Sequence, residues 1–371
     1  MSNYYAVIMA GGSGERFWPL SRLEHPKQLL PIIGDKPMLR QTLDRLLGII
    51  PAENIFVITH QRQQAAVAEV CPELKRENIV GEPVGRNTAP TIALATILIR
   101  RLDPNAVFAV LPADHVIHDT LTFQTELQSA LELAADTPAL LTFGIKPTEA
   151  STGYGYIQKA NQSASPETIV THEVQRFVEK PDASTAASYL ASGDYYWNAG
   201  MFIWSIAAIA QALAEHTPSL WQSMLGLEEG LNRGEPIDEL LAGIFPQLEK
   251  ISIDYAVMER ASSVLVIESS FDWDDVGDWP AITRHYQSDD QKNVVRGDAI
   301  IESGSNNLVV SCSGHTIALL GVEDLVVINS GDATLVCPKS QTQNIKQLVE
   351  SLADHPKGKK LLEQPAPSRL P

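Results

Sequence analysis

The chain has 371 residues, enough for two domains, and its 44% hydrophobic and 20% charged residues are ordinary for a globular protein. Its 28 basic and 45 acidic residues give a net charge of −17, which argues against nucleic-acid and anionic-membrane partners but allows a local anion site. Three cysteines without a CxxC pair support neither a disulfide scaffold nor a zinc site. The short apolar N-terminal run matches no signal peptide or membrane span, so the cytoplasm is the expected location.

Short apolar runs alternate with helix-like segments over the first part of the chain. An apolar run that stops at a turn is typical of a buried parallel strand, and strands that alternate with helices build βαβ units. The predicted strands are Tyr4–Ala10, 54–59, 106–111, 139–143 and Val264–Glu268. The predicted helices are 38–47, 61–70, 90–101 and 122–135. This pattern predicts a Rossmann-like α/β domain whose mostly parallel sheet carries a ligand cleft at the carboxyl ends of its strands.

The later part of the chain has a different residue pattern. Residues 182–253 are predicted to be mainly helical, whereas short β-rich pieces that end in Gly, Ser, Asn or Asp recur after about Asp290. A closing amphipathic helix is predicted over 340–352, and the proline-containing segment after Asp354 is predicted to be frayed. We therefore expect a large α/β domain (1–285), a small β-rich domain with its closing helix (286–354) and a tail (355–371).

A glycine-rich turn follows the first predicted strand. Gly11, Gly12 and Gly14 would let the backbone approach a phosphate chain closely. Arg16 and Lys27 would add positive charge beside it. The segment fits neither GxxxxGK[ST] nor GxGxxG, which argues against a P-loop and against a dinucleotide-binding dehydrogenase. The alternative interpretation is a turn that closes a strand, with solvated basic side chains.

The segment AGGSGERFWPLS…PKQ resembles the signature of the sugar nucleotidyltransferase family, and its FWPLSR form is similar to the mannose-1-phosphate guanylyltransferase branch. The resemblance covers residues 4–285 and implies a GT-A-type fold. It implies that the glycines and Arg16 hold a triphosphate, while Lys27 neutralises charge on the reacting phosphates. GTP and mannose 1-phosphate are the implied substrates, and Mg²⁺ is the implied cofactor.

Two acidic segments are candidates for a metal site. Asp114 follows the predicted strand 106–111 in LPADH, and FDWDDVGDW supplies a later cluster. Mg²⁺ prefers one or two carboxylates together with phosphates and water. A helix N-cap at Asp114 and an acidic surface loop are the alternatives. The resemblance places the metal ligands at Asp114 and Asp275, with Asp274 as a rival for the second position.

The segment GEPVGRNTAP is a polar turn that opens a helix, and Asn87 or Thr88 could cap that helix. Its resemblance to the guanylyltransferase segment implies instead that it binds the edge of a purine. The implied nucleotide-binding residues of this segment are Glu82, Pro83, Gly85, Asn87 and Thr88.

Three later motifs correspond to the sugar-phosphate side of the family. TGYGY offers backbone amides around Gly153, and WNAG contributes the amide side chain of Asn198. EKP places Glu179, which could accept sugar hydroxyls, beside Lys180, which could meet the 1-phosphate. Taken singly, EKP is also typical of a surface ion pair and WNAG of a buried turn. The order of the motifs along the chain favours one shared site.

We therefore predict an enzyme that transfers GMP from GTP to mannose 1-phosphate by direct displacement, giving GDP-mannose and pyrophosphate. UTP or dTTP with glucose 1-phosphate is the alternative within the class, and a non-catalytic sugar-nucleotide-binding regulator is the alternative outside it. The C-terminal domain is similar to the short left-handed β-helix of some family members, which packs on the catalytic domain and can support a homodimer. The isomerase domain of longer relatives lies beyond this length, so no isomerase activity is expected.

Overall fold

The computed structural model describes residues 3–312, 314–364 and 366, and a nine-stranded sheet lies at its centre. In chain order its strands are β1 (Tyr4–Ala10), β2 (Ile55–His60), β3 (Ile79–Glu82), β4 (Val107–Pro112), β5 (Leu140–Ile145), β6 (Tyr156–Ser163), β7 (Val170–Val178), β8 (Tyr195–Ser205) and β9 (Val264–Glu268). Their order in the sheet is β3-β2-β1-β4-β8-β5-β9-β7-β6. Strands β3, β2, β1 and β4 are parallel, as are β5 and β9, whereas β8 runs antiparallel between β4 and β5. The predicted α/β fold around a parallel sheet is confirmed.

Helices cover both faces of this sheet. They are α1 (Met38–Leu46), α2 (Gln64–Val70), α3 (Thr88–Leu102), α4 (Thr120–Asp136), α5 (Ala183–Ser192), α6 (Ile206–His216), α7 (Pro218–Asn232) and α8 (Ile237–Ile244). Side chains alternate along β1, so Val7 packs into a core with α3, α6 and α7, while Ala6 and Ile8 pack into a second core with α1 and α4. No helix in the described ranges is long and apolar enough to cross a membrane.

The prediction that residues 182–253 are mainly helical is wrong for β8. This strand of 11 residues is buried along most of its length and joins the two halves of the sheet. A run that is buried on both faces lacks the alternation of a half-exposed strand, and it is flanked by α5 and α6, so the local pattern favours a helix. The pattern also gives no signal for β6 and β7, whose antiparallel ladder is interrupted by register shifts.

A second, smaller set of strands follows the central sheet. These strands are β10 (Val294–Arg296), β11 (Asp298–Glu302), β12 (Leu308–Val310), β13 (Thr316–Leu320), β14 (Leu325–Asn329) and β15 (Thr334–Pro338). Strands β10, β12 and β14 stack in parallel, as do β11 and β13, and β15 closes antiparallel on β14. Short parallel strands stacked by a repeating connection are the arrangement of a β-helix. The predicted β-rich C-terminal part is confirmed.

Two short helices follow these strands. Helix α9 (Ile345–Ser351) lies within the predicted closing helix, whose first residues instead form 3₁₀ turns over Lys339–Asn344. The prediction of a frayed segment after Asp354 is wrong at α10 (Gly358–Glu363). Residues 365 and 367–371 of the predicted tail lie outside the described residues.

Helix α10 is ordered because it completes the hydrogen bonding of the chain just after the glycine turn. The indole N–H of Trp18 donates to the carbonyl oxygen of Leu361 at 3.1 Å. The backbone N–H of Leu23 donates to the carbonyl oxygen of Leu362 at 2.8 Å. Because buried polar groups need partners, the sequence after the glycine turn and the C-terminal helix stabilise each other.

Candidate active site

A cavity of about 580 Å³ opens at the carboxyl ends of the parallel strands. Gly11 after β1, Glu82 at the end of β3 and Pro112 at the end of β4 line it, as expected for a ligand site on an open α/β sheet. The predicted site residues that line the cavity are Gly11, Gly12, Glu82, Gly85, Asn87, Thr88, Gly153, Glu179, Lys180, Asn198 and Asp275. The predicted site residues outside its lining are Gly14, Arg16, Lys27, Pro83 and Asp114.

The glycine turn is held from behind by a buried amide. The side chain of Gln28 donates to the carbonyl oxygens of Ala10 at 2.7 Å and Gly12 at 3.1 Å. Gly14 has a φ of +62°, and a Cβ there would lie 2.7 Å from the Cβ of Lys27. Gly14 is therefore required by backbone packing rather than by the cavity. A Cβ on Gly12 would meet nothing within 4 Å, so Gly12 faces open space.

Arg16 connects the glycine turn to the acidic cluster. Its side chain is exposed, and its guanidinium donates to the carbonyl oxygen of Gly277 at 3.3 Å. Gly277 belongs to the same turn as Asp275. Since a guanidinium has about five N–H donors, this bond leaves Arg16 able to bind an anion beside the turn.

Lys27 brings the two predicted metal ligands together. Its Nζ donates to Oδ2 of Asp114 at 2.9 Å, to the carbonyl oxygen of Asp114 at 3.2 Å and to the carbonyl oxygen of Asp275 at 2.9 Å. An ammonium group has three donors, so all of them are used here. Lys27 is only 4% exposed and lies beneath the cavity wall. Burial acts to raise the pKa of Asp114, but the charge of Lys27, the neighbouring His115 and the hydrogen bonds to the carboxylate together outweigh it and hold that pKa below its ordinary value.

The neighbouring acids Asp274 and Asp275 have different surroundings. Oδ1 of Asp275 accepts a hydrogen bond from the Tyr154 hydroxyl at 2.9 Å, and both residues line the cavity. Asp274 is 8% exposed and is paired with Arg284 at 2.6 and 2.7 Å and with His285 at 2.9 Å. Burial acts to raise the pKa of Asp274, but these hydrogen bonds outweigh it and hold that pKa far below its usual range. Asp274 thus stabilises the turn, and Asp275 is the carboxylate that faces the cavity.

His115, which the sequence interpretation leaves without a role, also lines the cavity. Its Nδ1 lies 3.0 Å from the indole nitrogen of Trp273. An indole N–H can only donate, so Nδ1 is an acceptor and the proton of the neutral ring lies on Nε2. Burial lowers the pKa of His115, which favours this neutral form. Its place directly after Asp114 at a strand end is the signal that could have identified it.

Glu82 lines the cavity at the end of β3. It is 4% exposed, and its Oε1 accepts a hydrogen bond from the hydroxyl of Thr91 at 2.5 Å. Burial raises the pKa of Glu82 to about 7. Asn87 accepts a hydrogen bond from the N–H of Thr88 at 2.8 Å and caps α3 while lining the cavity. Asn87 therefore caps the helix, as the alternative interpretation expects, while the purine contact stays a prediction; Thr91 is an additional cavity residue.

Glu179 and Asn198 line the cavity away from Glu82, since Asn198 lies on β8 and three strands of the sheet separate β8 from β3. Glu179 is paired with Lys180 at 2.5 Å, and Lys180 has a φ of +45°, which is uncommon outside glycine. A Cβ on Gly155 would lie 2.5 Å from Oε2 of Glu179, so the second glycine of TGYGY is needed for this approach. Asn198 donates to Asp254 at 2.7 Å, and Asp254 also lines the cavity, although no sequence motif indicated it.

Comparisons with known proteins identify the family of the chain. The family model described as nucleotidyl transferase matches residues 5–292, and that described as a MannoseP isomerase/GMP-like beta-helix domain matches residues 298–352. The chain is 39% identical over 359 residues to the mannose-1-phosphate guanylyltransferase of Escherichia coli K12, covering 95% of this chain and 74% of that protein. It is 39% identical over 348 residues to the mannose-1-phosphate guanylyltransferase of Klebsiella pneumoniae, covering 93% of this chain and 73% of that protein.

A solved structure of a related protein has the same fold over nearly the whole chain. A protein from Thermus thermophilus, described as a mannose-1-phosphate geranyltransferase, superposes with a TM-score of 0.83 at 34% sequence identity. The superposition covers 95% of this chain and 99% of that one. The glycine turn, the paired acids and the β-rich C-terminal part thus occur in one chain whose nearly full length aligns with these relatives. The chain belongs to the nucleotidyltransferase family, in the group of the mannose-1-phosphate guanylyltransferases.

Proposed function

We propose that the chain transfers GMP from GTP to mannose 1-phosphate, forming GDP-mannose and releasing pyrophosphate. The observation that carries this proposal is the position of Lys27, which joins Asp114 to Asp275 beneath one cavity. Glu82 at the end of β3 and Glu179 directly after β7 both line that cavity, and these strands lie well apart in the sheet, so a nucleotide and a sugar phosphate could meet over the acids. The names of the relatives support GTP and mannose 1-phosphate as the pair.

The proposed chemistry is a direct displacement. A phosphate oxygen of mannose 1-phosphate attacks the α-phosphorus of GTP, the new P–O bond forms, and the bond to the β-phosphate breaks as pyrophosphate leaves. The attacking oxygen is already anionic, so no enzyme nucleophile is needed. Catalysis then depends on alignment and on positive charge, which Arg16, Lys27 and Lys180 would supply.

A divalent cation is part of this proposal, and the residues present fit it. Lys27 holds the carboxylate of Asp114 and the backbone of Asp275 at one place. Within the described ranges no group of three or more His, Cys, Asp or Glu side chains could hold a metal, so the two carboxylates would need the substrate to complete the site. Two carboxylates completed by phosphate oxygens and water are the surroundings that Mg²⁺ prefers. Bound by Asp114 and Asp275, Mg²⁺ would supply charge neutralisation at the phosphate oxygens of GTP.

Glu82 supports guanine as the base. Guanine offers adjacent N–H groups on its Watson–Crick edge, and an ionised carboxylate accepts both. Uracil and thymine offer a single N–H there, so the Glu82 carboxylate would accept fewer hydrogen bonds from these bases and would bind them more weakly than guanine. The hydrogen bond from Thr91 fixes the orientation of Glu82 and favours its ionised form. This favours GTP over UTP and dTTP.

The displacement is tested by following the α-phosphorus. GTP radiolabelled at the α-phosphorus is incubated with mannose 1-phosphate, Mg²⁺ and the purified protein. We expect the label in GDP-mannose, whereas GTP labelled at the γ-phosphorus should give labelled pyrophosphate only. Label from the γ position in a sugar product would contradict the proposed reaction. The cytoplasmic location and the homodimer expected from the sequence stay predictions.

A further inference from the structure

The sugar end of the cavity contains a second carboxylate, Asp254. It is the first residue of a π-helical turn (Asp254–Met258) that packs its apolar side chains into the core of the α/β domain. Its own side chain is half-buried and lines the cavity. Single π-helical turns are rare and frequently occur at functional sites, because they redirect a side chain at a cost in backbone regularity.

Asn198 holds Asp254 in place. The side-chain oxygen of Asn198 accepts a hydrogen bond from the backbone N–H of Gly200 at 3.0 Å. A backbone N–H can only donate, so this bond fixes the orientation of the amide and points its NH₂ group to Asp254. The NH₂ group donates to Oδ1 of Asp254 at 2.7 Å. Asn198, predicted to bind a sugar hydroxyl, therefore acts here by positioning the carboxylate beside it.

Two carboxylates thus face the same end of the cavity. Glu179 lines it together with Asp254, Lys180 is paired with Glu179, and Lys250 lines the same cavity. Burial raises the pKa of Asp254, and the charge of Glu179 raises it further, so additional hydrogen-bond donors would stabilise the ionised pair beyond the bonds from Asn198 and Lys180. Hydroxyl groups of a sugar ring are such donors. A phosphate group would be repelled by the pair and attracted by the lysines, so the ring and its phosphate have separate places.

We propose that Asp254 is a sugar-binding residue that sets specificity for the hexose: together with Glu179 it accepts hydrogen bonds from neighbouring ring hydroxyls of the sugar 1-phosphate. This inference rests on the proposed function. A cation between the two carboxylates is the alternative ligand, but the NH₂ group of Asn198 occupies one oxygen of Asp254 as a donor, which favours hydroxyls over a metal.

The test is Asp254→Asn, which keeps the size of the side chain and removes its charge. We expect KM for mannose 1-phosphate to rise about 10- to 100-fold, because a hydrogen bond to a charged acceptor is lost. KM for GTP should change less than about twofold, since Glu82 and Thr91 are untouched. Steady-state kinetics with each substrate varied in turn, and a thermal melt of each variant, provide the measurement.

Deoxy analogues of mannose 1-phosphate distinguish contact from structure. If Asp254 accepts a hydrogen bond from a given hydroxyl, Asp254→Asn should not raise KM for the analogue that lacks this hydroxyl. Equal losses for every analogue and for GTP would show a structural role and overturn the inference. Glu259→Gln is the matched control, because Glu259 adjoins the same turn, is exposed and does not line the cavity. It should leave both KM values unchanged.

Calorimetric titration of mannose 1-phosphate into the protein separates this inference from the proposed function. Weaker binding to the Asp254→Asn variant than to the wild type supports a role of Asp254 in sugar binding, even if no GDP-mannose forms. Equal affinities would overturn it. Absence of turnover in a wild type that binds both substrates would contradict the proposed function alone.

Discussion

Lys27 determines the charge balance at the centre of the site. Its buried ammonium group pairs with the carboxylate of Asp114 and donates to the backbone carbonyl oxygen of Asp275, so it offsets negative charge at this acidic site before any substrate is present. The same charge lies next to the place where the phosphates would react. Lys27 therefore organises the acids and contributes to the electrostatics of the proposed transfer.

Lys27→Met removes this charge and keeps most of the side-chain volume. We expect kcat to fall about 100-fold or more, because a preorganised charge at the reacting phosphates is lost. KM for GTP should change less than about fivefold, since the glycine turn and Glu82 remain. Equal losses in kcat and in GTP affinity would instead make Lys27 a binding residue. Lys36→Met, at an exposed lysine paired with Asp44, is the control.

Asp274 and Asp275 give opposite predictions for stability and activity. Asp274→Asn breaks the bonds to Arg284 and His285, so we expect a loss of about 2–3 kcal/mol in the free energy of unfolding. Because the folded pKa of Asp274 lies below its unfolded value, this stabilisation is present above about pH 4 and is lost as the pH falls further. The difference in Tm between Asp274→Asn and the wild type should therefore be largest near neutral pH and shrink in acid.

Asp275→Asn is the matched comparison for that experiment. It should abolish most of the transfer activity while changing Tm little, since its side chain faces the cavity. A large drop in Tm for Asp275→Asn, together with an unchanged Tm for Asp274→Asn, would reverse the two roles. Adjacent aspartates look alike in a sequence. Only the partners of each side chain, Arg284 ten residues further on and Tyr154 from another loop, distinguish them.

At the scale of helices and strands, local patterns predict elements that have regular surroundings. Strands β1 and β9 have the predicted bounds, because each is a short apolar run between polar turns. Strand β8 escapes prediction because burial on both faces removes its periodicity. Asp254 escapes because nothing local marks a side chain that tertiary contacts turn toward a cavity, whereas His115 has a local signal in its place directly after Asp114 at a strand end. Helix α10 escapes because its order depends on residues more than 300 positions earlier.

Helix α10 provides a test of that long-range dependence. Deleting residues 355–371 removes the acceptors of Trp18 and Leu23 and two acceptors of the buried Arg22 side chain. We expect a loss of about 2–4 kcal/mol in stability, because buried donors are left unpaired. KM for GTP should rise, since Trp18 and Leu23 belong to the segment that directly follows the glycine turn. Differential scanning calorimetry and GTP kinetics provide the measurements.

The control for the deletion is Lys359→Ala, which alters an exposed side chain of α10 and keeps its backbone bonds. It should leave the calorimetric Tm within about a degree of the wild type, as surface substitutions usually do. An unchanged Tm for the deletion itself would contradict the stabilising role of α10.

At the scale of the whole molecule, the β-rich part and the glycine turn share a core. Phe17 and Trp18, which follow the turn, are buried with Leu308 of β12, Leu335 of β15 and Ile345 of α9. The C-terminal part therefore supports the segment that leads to Lys27. The net charge of −17 places the attraction of anionic substrates on a few local cations rather than on the overall field of the protein.

In the proposed reaction, GTP and mannose 1-phosphate meet in one cavity and GMP is transferred between them. The most direct measurement is pyrophosphate release by the purified protein with Mg²⁺, over a panel of GTP, UTP and dTTP against mannose 1-phosphate and glucose 1-phosphate. We predict the highest kcat/KM for GTP with mannose 1-phosphate, with GDP-mannose identified as the product and no release in the Asp275→Asn variant. A preference for UTP or dTTP with glucose 1-phosphate, or binding of GTP and mannose 1-phosphate without any release, would contradict it.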